Sequence, residues 1–198
     1  MLLIIVCALL GYAMGNVEAA ILISRYIKKE DIRKFGSGNA GATNMLRTYG
    51  WTLGVFTFVC DLVKGVLAYL IGGWIAGPNG AAVAGVAVVM GHDWPVIYKF
   101  KGGKGIACTM GIMLAVDPTM AVIIILGGAL MVALTKYVSA GSLLGATMFF
   151  LHALFSLEAP VKIMALVLAI LAYIRHMANI KRLVMGTEPT LSSKKNIS

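Results

Sequence analysis

Residues 119–135 read TMAVIIILGGALMVALT, a run without a single charged side chain, preceded by Asp117-Pro118 and followed by Lys136. A helix that crosses the hydrocarbon of a bilayer needs about 20 predominantly apolar residues, so this run predicts a transmembrane helix. The whole chain agrees with that prediction. Of its 198 residues 60% are hydrophobic and 13% are charged, and its mean hydropathy is +0.89, which excludes an ordinary soluble domain.

Six further apolar runs surround this one. The run at 106–116 is short, and the others are long enough to cross; they lie at 2–24, 51–76, 80–98, 106–116, 138–157 and 160–175. The sequence therefore predicts an all-α, polytopic bundle of seven transmembrane helices. Val17-Glu18-Ala19 resembles a signal-peptide cleavage site, but no basic region precedes the first run, so we expect a retained helix. Residues 1–188 are expected to form a single integral membrane domain, and 189–198 a disordered cytoplasmic tail.

The basic residues are distributed unevenly between the connecting segments. Fifteen of the 17 Lys and Arg residues lie in four places, which are 25–50, 99–105, 136–137 and the region from Arg175 onward. These segments fall on one side of a seven-helix bundle. Because cytoplasmic loops carry the excess of Lys and Arg, we expect the N-terminus outside and the C-terminus in the cytoplasm. The net charge of +9 is then a topology signal, and no nucleic-acid partner is expected.

Polar motifs collect on that same side. Two glycine-rich loops, GSGNAGATN at 36–44 and FKGGKGIA at 100–107, suit phosphate because glycine lets backbone N–H groups approach an anion closely. Arg47, Lys101 and Lys104 supply positive charge. Polar residues at 136–142 and 175–188 face the same leaflet, and a compact bundle would join all four groups into one pocket.

Metal and nucleotide sites are not expected. The three cysteines lie in separate apolar segments without zinc-like spacing, and no cofactor is predicted. The second loop is not a nucleotide P-loop, because Tyr98 takes the first glycine position of that pattern and Gly105 the hydroxyl position. Within the second run, Asp61 and Lys64 are expected to pair and to snorkel. His92 is typical of a capped helix end, and His152 of a packed or outer-interface histidine.

Four separated segments resemble one family. They are Gly36 to Asn44, Gly91 to Pro95 with Phe100 to Ala107, Lys136 to Ser139, and Arg175 to Leu183 with Gly186 and Glu188. In order and spacing the chain resembles the bacterial glycerol-3-phosphate acyltransferases that use acyl phosphate as donor. The resemblance implies a multi-pass enzyme of the bacterial inner membrane whose active site faces the cytoplasm. It would move a fatty acyl group from acyl phosphate to the 1-position of sn-glycerol 3-phosphate, giving lysophosphatidate and phosphate. Its partners would be these substrates, membrane lipids and a soluble enzyme that produces acyl phosphate.

The resemblance also assigns residues. Glycerol 3-phosphate would bind Lys101, Gly102, Gly103 and Lys104, and acyl phosphate would bind Gly38, Asn39 and Ser142. The residues implied in catalysis are Ser37, Asn44, Arg47, His176, Asn179 and Glu188. The chain departs from the family pattern at Tyr12 and at Ala140-Gly141, which bears on acyl-chain preference more than on the reaction. We expect Gly103→Ala to raise KM for glycerol 3-phosphate, either because a Cβ blocks the phosphate or because the glycine has a positive φ.

The chemistry leaves one assignment open. Acyl phosphate is a mixed anhydride with a good leaving group, so orientation, a proton acceptor and oxyanion stabilisation suffice. The acceptor is His176, Glu188, His92 or the donor's own phosphate, which we favour because no His–carboxylate relay is visible.

Two other classes of protein remain: a phosphate transporter would place polar groups near the midplane in repeated halves, and a scaffold subunit would not need four converging motifs. Acyltransferases with a His and an Asp four residues apart are not matched.

Overall fold

The structure is a computed structural model that describes residues 1–191. All of the regular structure in that part of the chain is helical. The helices are α1 Leu2–Gly15, α2 Ala19–Ile27, α3 Ala42–Tyr49, α4 Trp51–Asp93, α5 Ile106–Val116, α6 Pro118–Thr135, α7 Val138–Ser156 and α8 Ala159–Val184, with 3₁₀ turns at Ile32–Lys34 and Val96–Tyr98. Five segments are long and apolar enough to cross a membrane: Leu2–Ile27, Trp51–Tyr98, Pro118–Thr135, Val138–Phe155 and Ala159–Val184. The predicted all-α membrane class is confirmed.

Helix α4 is a hairpin of two arms. Its helical geometry fails at Ala76 and at Gly77, where φ is +62°, immediately before Pro78. Lys64 in the first arm lies 2.9 Å from the imidazole of His92 in the second, although 28 residues separate them. A straight helix would hold these residues about 42 Å apart. The predicted runs at 51–76 and 80–98 are therefore the two arms of one folded-back helix.

The first apolar run is broken, whereas a continuous helix over 2–24 was expected. Helix α1 stops at Gly15, and α2 begins after Glu18, whose backbone is extended. The break has a physical cause in the adjacent arm of α4. The carbonyl oxygens of Gly15 and Val17 accept hydrogen bonds from the buried ammonium of Lys64 at 3.3 and 2.9 Å. Turning these carbonyls toward a buried cation satisfies its charge at the cost of helical continuity.

Small residues let the helices approach closely around this break. A Cβ on Gly15 would overlap the backbone of Val88 and Gly91 in the second arm of α4, and a Cβ on Gly65 would overlap the backbone of Cys108 in α5. Such contacts are typical of membrane helices, whose association depends on packing because lipid offers no hydrophobic driving force. The apolar core beside them joins α4, α5, α6, α7 and α8 through residues such as Val88, Ile112, Ile124, Phe149 and Leu168.

Candidate active site

The polar motifs surround one cavity of about 1100 Å³. Its walls come from the first glycine loop with α3, the second glycine loop with the start of α5, the start of α7 and the last turns of α8. These are the four groups that the sequence predicted to converge. Ten of the thirteen predicted site residues line the cavity: Ser37, Asn39, Asn44, Arg47, Gly103, Lys104, Ser142, His176, Asn179 and Glu188. The other three, Gly38, Lys101 and Gly102, do not.

Asn44 shapes the first loop. Its side-chain nitrogen donates to the carbonyl oxygens of Ile32, Phe35 and Asn39 at 3.0–3.2 Å, and its Oδ1 accepts from the backbone N–H of Ser37 at 3.0 Å. The residue is only 2% exposed. Because its amide is fully engaged within the loop, Asn44 positions Ser37 and Asn39 at the cavity wall.

Arg47 connects α3 with the chain after α8. One Nη donates to the carbonyl oxygens of Pro189 and Thr190 at 3.1 and 3.0 Å. The N–H of Leu191 in turn donates to the carbonyl of Lys136 at 2.9 Å. The first three residues of the predicted disordered tail are thus held against the body. The remainder of that prediction, 192–198, lies outside the described residues.

The second loop is fixed by groups from three other segments. Arg33 donates to the carbonyls of Tyr98 and Lys101 at 2.9 and 3.2 Å, and Arg175 donates through Nε to the carbonyl of Gly103 at 3.1 Å. The N–H of Gly103 donates to the carbonyl of His92 at 3.0 Å. The φ of Gly103 is not positive, so that part of the expectation was wrong. Glycine is required here because a Cβ would overlap the imidazole of His92.

Lys104 brings a cation to the cavity wall, whereas the Lys101 side chain is exposed. The ammonium of Lys104 donates to Oδ1 of Asn179. Burial lowers the pKa of Lys104 to about 8; the neighbouring Glu188 opposes that shift, and Arg182, Arg175 and Arg47 add to it. A bound anion would neutralise the surrounding positive charge and so stabilise the charged form of this lysine.

Glu188 is surrounded by donors. Its Oε1 accepts from the Ser139 hydroxyl at 2.8 Å and from the Asn179 amide at 2.6 Å, and its Oε2 accepts from Arg182 at 2.8 Å. Burial raises the pKa of Glu188, but these three hydrogen bonds outweigh it and hold the pKa below its usual value. A carboxylate with a lowered pKa and occupied oxygens is a poor proton acceptor. The geometry favours Glu188 as the group that orients Asn179.

His176 has a defined tautomer. Its Nδ1 lies 2.8 Å from the carbonyl oxygen of Ala172, which can only accept, so Nδ1 carries the proton. The lone pair of Nε2 is then free, with no hydrogen-bond partner among residues 1–191, and the residue lines the cavity. His176 can therefore accept a hydrogen bond from a substrate hydroxyl.

Three residues outside the thirteen predicted ones also contribute to the site. Arg33 and Arg175 hold the second loop, and Asp61 lines the cavity floor. Asp61 pairs with Lys64 at 2.9 Å, as expected, but Lys64 is only 8% exposed, so the prediction that it snorkels was wrong. His152 lies 3.1 Å from Asp117. In the sequence, the position of Arg175 directly before His176 could have indicated that it contributes to the site. For Arg33, the only such indication was its position in a loop.

An all-helical membrane protein with a cavity walled by glycine loops, buried cations and oriented amides is of the class of integral membrane enzymes that act on phosphorylated compounds. The comparisons with known proteins are specific. A family model described as Glycerol-3-phosphate acyltransferase matches residues 5–186. The chain belongs to this family, and it is an acyltransferase.

Relatives and solved structures extend over nearly the whole chain. A glycerol-3-phosphate acyltransferase of Thermoanaerobacter pseudethanolicus is 45% identical over 194 residues, covering 98% of both chains, and one of Alkaliphilus metalliredigens is 41% identical over 198 residues, covering 99% of this chain and 98% of the relative. The crystal structure of PlsY (YgiH), an integral membrane glycerol 3-phosphate acyltransferase, in its glycerol 3-phosphate form is similar with a TM-score of 0.89 at 33% identity, and its lysophosphatidic acid form with 0.86 at 32%. Each comparison covers 94% of both chains.

Proposed function

We propose that this protein transfers a fatty acyl group from acyl phosphate to the 1-hydroxyl of sn-glycerol 3-phosphate, giving lysophosphatidate and inorganic phosphate. The single observation that carries the proposal is the cavity itself, in which two glycine loops and the cation of Lys104 meet directly above apolar helices. Two phosphate-bearing substrates need two anion sites. The family membership and the glycerol 3-phosphate and lysophosphatidic acid forms of PlsY support the same reaction.

Each of the two glycine loops is assigned one substrate. Glycerol 3-phosphate is placed on the second loop, with its phosphate against Gly103 and Lys104 and with Lys101 and Gly102 at the outer end. Acyl phosphate is placed on the first loop, with its phosphate near Gly38 and Asn39 and its carbonyl near Ser142. The Ser142 hydroxyl donates to the carbonyl of Val138 at 2.9 Å, and it binds the acyl carbonyl, which can only accept, by turning that proton toward it. The acyl chain extends from there between α5, α6 and α7, where a small apolar cavity shares Ile106, Met110 and Ser142 with the large one.

The reaction needs little from the side chains. The 1-hydroxyl donates to Nε2 of His176, which aims the hydroxyl oxygen at the acyl carbon. As the new ester C–O bond forms and the C–O bond to phosphate breaks, the hydroxyl proton leaves its hydrogen bond with His176 and passes to the departing phosphate. Ser37, Arg47 and Asn179 stabilise negative charge on the carbonyl oxygen and the leaving group.

The orientation in the membrane follows from the charge distribution. We place the protein in the bacterial inner membrane as seven crossings, formed by α1 with α2, the two arms of α4, and α5 to α8, with residues 1–188 as one domain. The N-terminus lies outside, and the cavity and the C-terminus face the cytoplasm. A soluble enzyme that produces acyl phosphate would then reach the cavity. Single cysteines at Lys34 and Asn79 test this, because an impermeant reagent added to intact cells should modify only position 79.

The assay that tests the function compares donors. The purified protein should form lysophosphatidate from acyl phosphate and glycerol 3-phosphate without metal or nucleotide, and should be nearly inactive with acyl-CoA. The reason is that loops this short build a site for a small dianion and no long groove for a coenzyme. Turnover with acyl-CoA at a similar rate, or no product from acyl phosphate in a folded preparation, would overturn the assignment.

A further inference from the structure

A buried polar cluster lies beneath the second loop, inside the helix bundle. It consists of Glu18, Asp61, Lys64 and His92, which are 0%, 1%, 8% and 3% exposed. Buried ionisable groups in a membrane protein are expensive, and they mark functional positions. The reaction proposed above uses none of these four side chains, so the cluster requires a separate explanation.

Lys64 determines where the proton of His92 lies. Its ammonium is 2.9 Å from Nδ1 of His92 and 2.9 Å from Oδ1 of Asp61, and it also donates to the carbonyls of Gly15 and Val17. An ammonium has donors only, and Nδ1 must therefore accept. A neutral imidazole that accepts at Nδ1 carries its proton on Nε2.

The opposite tautomer, with the proton on Nδ1, would also find hydrogen-bond acceptors nearby. Oε1 of Glu18 lies 3.1 Å from Nδ1 of His92, and Oδ1 of Asp61 lies 3.7 Å from it. Both are carboxylate oxygens without a hydrogen bond of acceptable geometry in the described part of the chain. Without the Lys64 ammonium, either carboxylate would accept a hydrogen bond from a protonated Nδ1. The lysine is thus what keeps the proton on Nε2.

Nε2 faces the second loop. A Cβ on Gly103 would overlap this atom, and His92 lines the cavity. The backbone on the other side of the contact is also fixed, because the N–H of Gly103 donates to the carbonyl of His92. No residue among 1–191 accepts a hydrogen bond from Nε2. The loop lacks a side chain where the imidazole comes closest to it.

We propose that Nε2–H of His92 donates a hydrogen bond to the phosphate of glycerol 3-phosphate on the second loop, and that Lys64, held by Asp61, is the positioning residue that fixes this donor. The identity of the phosphate rests on the proposed function. His92 is then excluded as the proton acceptor, since one of its nitrogens is occupied by an ammonium and the other carries a proton. It has the opposite role to His176, whose Nε2 accepts.

The tautomer can be measured without turnover. The chain contains three histidines, so the imidazole signals of ¹⁵N-histidine-labelled protein can be assigned with His92→Gln as reference. We expect His92 to show a protonated Nε2, and Lys64→Met to move the proton to Nδ1. Lys162→Met, which removes a lysine far along the chain in α8, is the control and should leave the tautomer unchanged. Titration with inorganic phosphate should shift the Nε2–H proton in the wild type. A protonated Nδ1 in the wild type would overturn the proposal.

Kinetics test the donor role separately. His92→Ala should raise KM for glycerol 3-phosphate by about 10- to 100-fold, the range for a lost hydrogen bond to a charged group, with KM for acyl phosphate unchanged. His92→Gln should recover most of this loss because its amide N–H reaches the position of Nε2, whereas His92→Asn should not. Lys64→Met should raise KM for glycerol 3-phosphate as His92→Ala does. If Lys64→Met does not fold, the double variant Asp61→Asn/Lys64→Met removes the unpaired charge of Asp61 and should raise this KM in the same way. Equal defects in all three His92 variants would refute the donor role, while a wild type without any acyltransferase activity would instead refute the proposed function.

Discussion

The ammonium of Lys104 is expected to make the capture of glycerol 3-phosphate fall steeply above pH 8. Lys104 lines the cavity beside Gly103, and burial lowers its pKa from 10.5 to about 8. The substrate phosphate has its second ionisation near pH 6, so above pH 7.5 the substrate stays a dianion and only the protein changes. A deprotonated lysine loses its charge and its best donor, and binding weakens.

The magnitude follows from that pKa. With a pKa of about 8, Lys104 is about 90% protonated at pH 7, half protonated at pH 8 and about 10% protonated at pH 9. The value of kcat/KM reports groups on the free enzyme, and it should fall about tenfold for each pH unit above 8. Bound phosphate favours the charged lysine, so kcat should decline at a higher pH than kcat/KM.

The assay is an initial-rate measurement at saturating acyl phosphate between about pH 6.5 and pH 9.5. Lys104→Arg is the matched control, because a guanidinium stays charged over this range. Its profile should be flat above pH 8, even if its KM at pH 7 is higher. Lys104→Met should lose about 10- to 100-fold in kcat/KM at pH 7, the cost of a lost charged hydrogen bond, and should show no further decline. Parallel decline of the wild type and Lys104→Arg would refute the reasoning and assign the profile to another group.

Three further outcomes are expected. Gly103→Ala should raise KM for glycerol 3-phosphate with little change in kcat at saturation, because its Cβ displaces His92; an unchanged KM in folded protein would move this substrate to the first loop. Glu188→Gln should lower kcat by about 10-fold or more, because Asn179 loses a charged acceptor, whereas a loss restricted to thermal stability would make Glu188 purely structural. Hydrogen bonds from Arg33 hold the pKa of Asp31 well below its usual value, so Asp31→Asn should cost up to about 1 kcal/mol at pH 7. Its melting-temperature difference from the wild type should shrink below about pH 4, where the carboxyl of the unfolded chain begins to protonate while that of the folded protein stays charged; a constant difference would show that the charge is irrelevant.

The helices could be predicted because hydrophobic length is a local property of the sequence. The run at 119–135 became α6, and the break between 76 and 80 was visible from Gly77-Pro78. The interruption after Gly15 could not be predicted in this way. It depends on Lys64, which is 49 residues away from Gly15 along the chain and donates to the carbonyls of Gly15 and Val17.

Much of the site could also be predicted, because phosphate chemistry restricts residue types. From the glycine loops and the cations on one side of the bundle, ten residues that line one cavity could be predicted. What the sequence could not give was the direction of each hydrogen bond. Asn44 was expected among the catalytic groups, but its amide is consumed within its own loop. Whether an amide faces substrate or backbone depends on three-dimensional contacts that leave no mark on residue type.

The two cavity histidines show why such directions matter for the mechanism. By residue type alone, His92 and His176 are equivalent candidates for a base. The backbone carbonyl of Ala172 accepts from Nδ1 of His176 and so keeps the proton of that imidazole on Nδ1, whereas the ammonium of Lys64 donates to Nδ1 of His92 and so keeps the proton of that imidazole on Nε2. Their Nε2 atoms therefore offer opposite functions to the same cavity, one accepting and one donating. A substrate with a hydroxyl at one end and a phosphate at the other fits between them in a single orientation, with the hydroxyl toward His176 and the acyl donor. On this reasoning the tautomers fix the direction in which glycerol 3-phosphate binds, because in the reversed orientation its phosphate, which can only accept, would face the accepting Nε2 of His176.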